Sequence, residues 1–168
     1  MKTWKFSDNV DTDQIIPGPY LTCNEPEILA QHLFEYVRPG FASLLRRGDV
    51  IVGGKNFGCG SSREHAVQGL IGAGIKYVIA ESFSRIFFRN SINLGLPILV
   101  VKGISNVSEE SELLIDTSTQ IITDTTNNAE YRYREMPEFI NQIVKDGGIV
   151  PHTKRLLRVK NENKEDCI

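Results

Sequence analysis

The stretch Asp49-Val50-Ile51-Val52-Gly53-Gly54-Lys55-Asn56-Phe57-Gly58-Cys59-Gly60-Ser61-Ser62-Arg63-Glu64-His65-Ala66 decides how this chain reads. It opens on a short apolar run rich in β-branched side chains, the composition of a strand buried on both faces. Glycines follow at positions 53, 54, 58 and 60. They open backbone regions closed to other residues and let a ligand come close to main-chain N–H groups. From Ser61 the pattern turns helical and holds to the Gly72-Ala73-Gly74 stop. This places Ser61 and Ser62 in the first turn of a helix, where unpaired N–H groups and the helix dipole favour negative charge.

Outward from that centre, residues 76–80 read as a second strand, residues 83–93 as a helix and residues 97–101 as a third strand. Strand, helix, strand, helix, strand implies right-handed crossovers and a small parallel core. Upstream, residues 3–6 suit a short strand. Pro17-Gly18-Pro19 excludes a long helix and makes the segment from Val10 an ordered loop. Asn24-Glu25-Pro26-Glu27 reads as a helix start, with Ile28, Leu29, His32, Leu33 and Tyr36 at helical spacing up to Pro39-Gly40. Beyond Gly103, residues 113–116, 120–123 and 130–134 have strand-like composition between polar turns and suggest a small antiparallel set. Met136-Pro137-Glu138 opens a last helix that stops at Gly147-Gly148, and the charged tail from about Lys154 to Ile168 is expected to fray, Cys167 with it. The expected fold class is α/β: a small parallel strand–helix core plus short antiparallel strands, in one domain over residues 1–168.

Composition narrows the function classes. The chain has 168 residues, with 19 Lys+Arg against 21 Asp+Glu for a net charge of -2. That balance lacks the basic excess of a nucleic-acid binder. Residues 1–6 lack a signal-peptide layout, and no apolar run approaches the ~18 residues that span a bilayer, so no membrane partner and a cytoplasmic location are expected. Cys23, Cys59 and Cys167 have no close spacing, which fits neither a disulfide framework nor a self-contained zinc or iron–sulfur site.

Several chemistries compete for the glycine loop. Ser61 and Glu64 satisfy an S-x-x-E capping box. A phosphate loop is disfavoured because G-x-x-x-x-G-K-[ST] is absent and the glycines do not fit G-x-G-x-x-G in its strand-turn-helix frame. Cys59 beside a helix start could be a nucleophile of lowered pKa, with His65 nearby. A serine acting as an alkoxide also fits, since preset donors stabilise developing oxygen charge, and Arg63 offers a planar fork that matches a carboxylate.

Gly58-Cys59-Gly60-Ser61-Ser62-Arg63-Glu64-His65-Ala66 resembles the G-x-G-S-S-R-E-H-A signature of the swivel domain of the aconitase superfamily. The resemblance extends upstream to Asp11-Thr12-Asp13-Gln14-Ile15-Ile16-Pro17 and downstream to Ser82-Phe83-Ser84-Arg85-Ile86-Phe87 and Asn90, and covers most of residues 8–101. At this free-standing size the chain is similar to the isopropylmalate dehydratase small subunits, a family of hydro-lyase components of leucine biosynthesis. The resemblance implies a heteromeric enzyme whose large subunit carries a [4Fe–4S] cluster, with no cofactor on this chain, whose three scattered thiols could not hold one. It implies isomerisation of a substituted malate by dehydration to a cis-alkene diacid and rehydration on the neighbouring carbon.

Carried over residue by residue, the resemblance implies that Ser62 is the general base for the proton α to a carboxylate. Arg63 and Ser61 would bind a substrate carboxylate, and Asp13 would join the acid/base network, unless Asp13 merely caps its own turn. Arg85 and Arg89 would have structural or interface roles. Residues 19–23, Pro19-Tyr20-Leu21-Thr22-Cys23, resemble the family's specificity loop, which makes Leu21, Thr22 and Cys23 substrate-binding candidates. Relatives acting on tricarboxylates place arginine directly after Tyr-Leu; here Thr22 stands there, and an unpaired carboxylate against Thr22 and Cys23 would be costly. Isopropylmalate is therefore the expected substrate, with citramalate, dimethylmalate and homoaconitate as alternatives. A non-catalytic anion-binding module that uses the same loop is the alternative of another class.

Overall fold

The apolar run at the centre of the chain forms strand β2 (Val50–Gly53), and all four of its residues are buried. The structure, a computed structural model, describes residues 1–165. β2 is central to a parallel sheet of order β1-β2-β3-β4, with β1 (Thr3–Lys5), β3 (Tyr77–Ala80) and β4 (Ile98–Val100). In register, Ile51 lies between Trp4 and Val78, and Val52 between Lys5 and Ile79.

Alternation along β2 sends its side chains into two separate cores. Ile51 joins Trp4, Val67, Leu70, Phe57 and Phe87 under the helices. Val50 and Val52 join Ile79, Val101, Ile104, Leu113 and Ile122 on the opposite face. That second face is covered by a three-stranded antiparallel sheet of β5 (Leu113–Asp116), β6 (Ile121–Asp124) and β7 (Ala129–Arg132). The expected α/β class stands, as three layers: helices, parallel sheet, small antiparallel sheet. The central strands β2 and β3 are almost wholly apolar because both of their faces are covered, while the edge strand β1 admits Thr3 and Lys5.

The helical layer holds α1 (Thr12–Ile15), α2 (Pro26–Ala30), α3 (Phe41–Leu44), α4 (Glu64–Gly72), α5 (Arg85–Leu94), α6 (Glu138–Lys145) and α7 (Ile149–Glu165). α2 packs against α4 where Gly72 faces the Pro26 carbonyl; a Cβ at Gly72 would overlap that carbonyl. α5 starts at the N-cap Ser84, whose hydroxyl accepts the Phe87 N–H.

Two expectations need correction. The helix expected to run to Tyr36 ends at Ala30, because Phe34 takes φ +56, donates its N–H to the Ile15 carbonyl at 3.0 Å and inserts fully buried between Phe6 and Phe41. Burial of a whole aromatic ring outweighs two further helical turns of modest propensity. The helix expected from Ser61 begins at Glu64. The helix α7 has Pro151 in its first turn and the Asp146 carboxylate at its start, 2.6 Å from His152 Nδ1 and 2.7 Å from Arg155 Nε. Cys167 lies outside the described residues.

Candidate active site

Residues 54–59 commit their backbone donors to the fold. The N–H of Gly54 reaches the Ser7 carbonyl, that of Lys55 the Asp8 carboxylate, and those of Asn56 and Phe57 the hydroxyl and carbonyl of Ser82. Gly58 and Cys59 both donate to the Val10 carbonyl, at 2.8 and 3.1 Å. Gly58 has φ +74 and lies against Phe87, so any side chain there meets both strain and a ring. The oxyanion donors expected from this half of the loop are therefore already taken.

The second half is built otherwise. Gly60, at φ +83, turns beside the Asp11 carboxylate, and Ser61 and Ser62 then stand exposed. Among the described residues nothing accepts from the N–H groups of Gly60, Ser61, Ser62 or Arg63. Arg63 is the N-cap of α4 without a side-chain cap bond, so the S-x-x-E capping box does not form. Donors left free by an uncapped helix start are available to an external anion.

The neighbouring loop is fixed by its own box. Asp11 caps α1 by accepting the Asp13 N–H at 2.7 Å, and the Gln14 side chain accepts the Asp11 N–H at 2.9 Å. Asp11, and not Asp13, is thus the capping residue; its D-x-x-Q spacing was readable in the sequence as a box. Freed from that task, Asp13 places Oδ1 2.6 Å from Arg63 Nη1. Nη1 also reaches the Ile16 carbonyl at 3.4 Å, while Nε and Nη2 have no partner among the described residues. A guanidinium held on one nitrogen keeps two donors for a carboxylate. Asp13 is 56% exposed in its side chain, and an open pair of this kind contributes about 0–1 kcal/mol, which a substrate carboxylate can displace or share.

Two residues outside the expected set tie the site together. Buried Thr12 contacts the Ser61 carbonyl at 3.2 Å and the Ser61 hydroxyl at 3.1 Å. Asn90 on α5 donates to the Ser62 carbonyl at 3.3 Å. The Ser62 hydroxyl itself has no partner among the described residues. Arg85 and Arg89 are exposed on α5, with no acidic partner among those residues.

The cysteine-nucleophile reading loses its dyad. Cys59 Sγ faces the Val10 carbonyl at 3.5 Å, and burial followed by the charge of Asp11 raises its pKa. His65 Nε2 is buried with no partner among the described residues.

At the other end of the loop, residues 20–23 form a tight turn after a 3-10 turn at Gly18–Tyr20. Leu21 is half-buried against the core. Cys23 Sγ lies 3.1 Å from Glu25 Oε2, a hydrogen bond that raises the thiol pKa, and Thr22 alone is exposed. Cavities of about 270 and 390 Å³ are lined by other residues, around Ala42 and around Tyr133. Asp13, Ser61, Ser62 and Thr22 therefore stand on open surface, and among the described residues no three His, Cys, Asp or Glu side chains converge as a metal donor set. No helix of the structure is long and apolar enough to cross a membrane.

Residues 45–103, which contain the glycine loop and the serine–arginine segment, match the aconitase C-terminal domain family. The 3-isopropylmalate dehydratase small subunit 1 of Archaeoglobus fulgidus is 48% identical over 155 residues, covering 92% of this chain and 96% of the relative. The isopropylmalate/citramalate isomerase small subunit of Methanocaldococcus jannaschii is 50% identical over 155 residues, or 92% of each chain. The crystal structure of a 3-isopropylmalate dehydratase chain from Methanocaldococcus jannaschii superposes with a TM-score of 0.92 at 39% identity, over 96% of both chains.

Proposed function

The chain belongs to the 3-isopropylmalate dehydratase small-subunit family, and on that premise we propose that it is the substrate-closing half of a two-chain hydro-lyase that interconverts 2- and 3-isopropylmalate through isopropylmaleate. The observation that carries the reading is an exposed serine hydroxyl, Ser62, flanked by uncommitted N–H groups and by a guanidinium with free donors.

Removal of the proton α to a carboxylate needs a strong, localised base, and an ordinary hydroxyl is too weak. Free N–H groups at the start of α4 lower the cost of the Ser62 alkoxide, which takes that proton and returns it on the reverse hydration. Arg63 holds a substrate carboxylate through its free nitrogens, and Ser61, fixed by Thr12, adds a hydrogen bond. Asp13 holds the guanidinium from the far side, a positioning role next to the acid/base network. Thr22, with Leu21 and Cys23 behind it, faces the alkyl substituent.

The described residues of this chain do not fit an iron–sulfur cluster, so we place the [4Fe–4S] group on the large subunit and derive no step through it here. An open site also calls for a covering chain, because acid–base chemistry at a carbon needs water excluded. The chain would act as one swivel domain. Its two described cysteines are free thiols, which supports a reducing compartment, the cytoplasm.

The exposed hydroxyl of Thr22 favours a second reading within the class, a smaller methyl-substituted malate such as citramalate. Purification with and without the large subunit, followed by assay against isopropylmalate, citramalate, dimethylmalate and homoaconitate, tests both. The lone chain should be inactive and the pair should prefer isopropylmalate. Turnover by the lone chain contradicts the proposal.

A further inference from the structure

The turn at residues 20–23 has few anchors of its own. Its backbone bonds are local: Tyr20 to Pro17 at 3.2 Å, Leu21 to Gly18 at 3.2 Å and Cys23 to Tyr20 at 3.1 Å. Tyr20, Leu21 and Cys23 pack partly buried against the helix-side core, and a side-chain platform that exists because α2 ends early adds a second hold at Tyr20. After Ala30 the chain turns so that Phe34 enters the core, and this brings His32 and Glu35 beneath Tyr20.

The Tyr20 and His32 rings stack with centroids 3.6 Å apart and planes at 11°. Glu35 Oε2 lies 2.9 Å from His32 Nδ1 and fixes the ring's orientation. The Glu35 carboxylate beside the Tyr20 hydroxyl raises that phenol's pKa, and Tyr20 and then His32 lower that of Glu35. Three side chains from two segments therefore constrain one another, and the one at the top begins the turn that presents Leu21 and Thr22.

We infer that His32 and Glu35 are positioning residues for substrate choice, holding Tyr20 and through it the side-chain-sensing turn at residues 21–23. The inference rests on the reading of that turn as the part of the site facing the substrate's alkyl group. Discrimination between alkyl groups that differ by a few carbons depends on wall position, because each methylene contributes only modestly. A turn released from its platform keeps the chemistry of Ser62 and Arg63 but no longer fits the larger group selectively.

The test is made on the assembled two-chain enzyme, with kcat and KM measured for isopropylmalate and citramalate. His32→Ala should lower the kcat/KM preference for isopropylmalate roughly tenfold, mainly through KM, and His32→Phe, which keeps a ring for the stack, should restore it to within about threefold. Glu35→Gln, a near-isosteric change at a partly exposed side chain, should lower the preference by roughly threefold and serves if His32→Ala fails to fold. Thr22→Arg, measured alongside, tests the underlying reading by its loss of isopropylmalate turnover. If Thr22→Arg shifts the preference while His32→Ala and Glu35→Gln leave it unchanged, the positioning role is wrong. If Thr22→Arg also leaves it unchanged, the turn does not sense the substrate and the inference falls with that reading.

Discussion

The two halves of the loop between β2 and α4 use the same backbone chemistry to opposite ends. From Gly54 to Cys59 every N–H is bonded within the fold, and Phe57 and Gly58 are buried. From Gly60 to Arg63 none has a partner among the described residues, and both serines are exposed. The glycines of the first half let the loop pack against Phe87 and Val10, whereas the second half leaves donors and a hydroxyl facing outward. On the proposed function one half is framework and the other carries the chemistry, so their substitutions should separate stability from turnover.

Ser62→Ala gives the largest expected effect. Turnover of the assembled enzyme should fall by about 10²–10⁴, the contribution of a positioned base, while the thermal melt of the chain stays put. A destabilised Ser62→Ala chain would mean that the second half is framework after all. Arg63→Lys comes next: KM should rise roughly tenfold with kcat less affected, since an ammonium cannot replace a fork held by Asp13 on one nitrogen. Gly58→Ala should show the reverse pattern, a loss of about 1–3 kcal/mol or more in denaturant unfolding from strain at φ +74 and overlap with Phe87. Any folded Gly58→Ala chain should retain its substrate KM. Cys59→Ala, at the boundary, should leave turnover unchanged, because the thiol faces Val10 rather than the site.

Much of the framework was legible in the sequence. The all-apolar Val50–Gly53 run read as a buried strand, and Leu113–Asp116 had strand-like composition between polar turns, though its three apolar residues in a row did not show which of them face the core. Ser84 before Arg85 is an N-cap of ordinary type, so α5 appeared within two residues of its place. Elsewhere local signals lost to tertiary ones. Helical spacing from Ile28 to Tyr36 could not disclose that Phe34 is pulled inward, and the resulting platform under Tyr20 was invisible for that reason.

The site followed the same division. Ser61-Ser62-Arg63 was legible as the exposed segment at the helix start, but a helix beginning at Ser61 implied a cap where the structure has free donors. Asp13 and Arg63, far apart in the chain, meet because the bonds between Val10–Thr12 and Gly58–Ser61 lay the first loop along the second. Asn90 stood in the sequence within the stretch that carries the resemblance but without a role; its contact with the Ser62 carbonyl needs the packing of α4 against α5.

The most direct test of the account is proton exchange at the substrate carbon α to the carboxylate, followed by NMR in heavy water with the assembled enzyme in its parent and Ser62→Ala forms. The account predicts exchange in the parent enzyme and its loss in Ser62→Ala, while the substrate Kd stays within about threefold. Exchange at the parent rate in Ser62→Ala would contradict it.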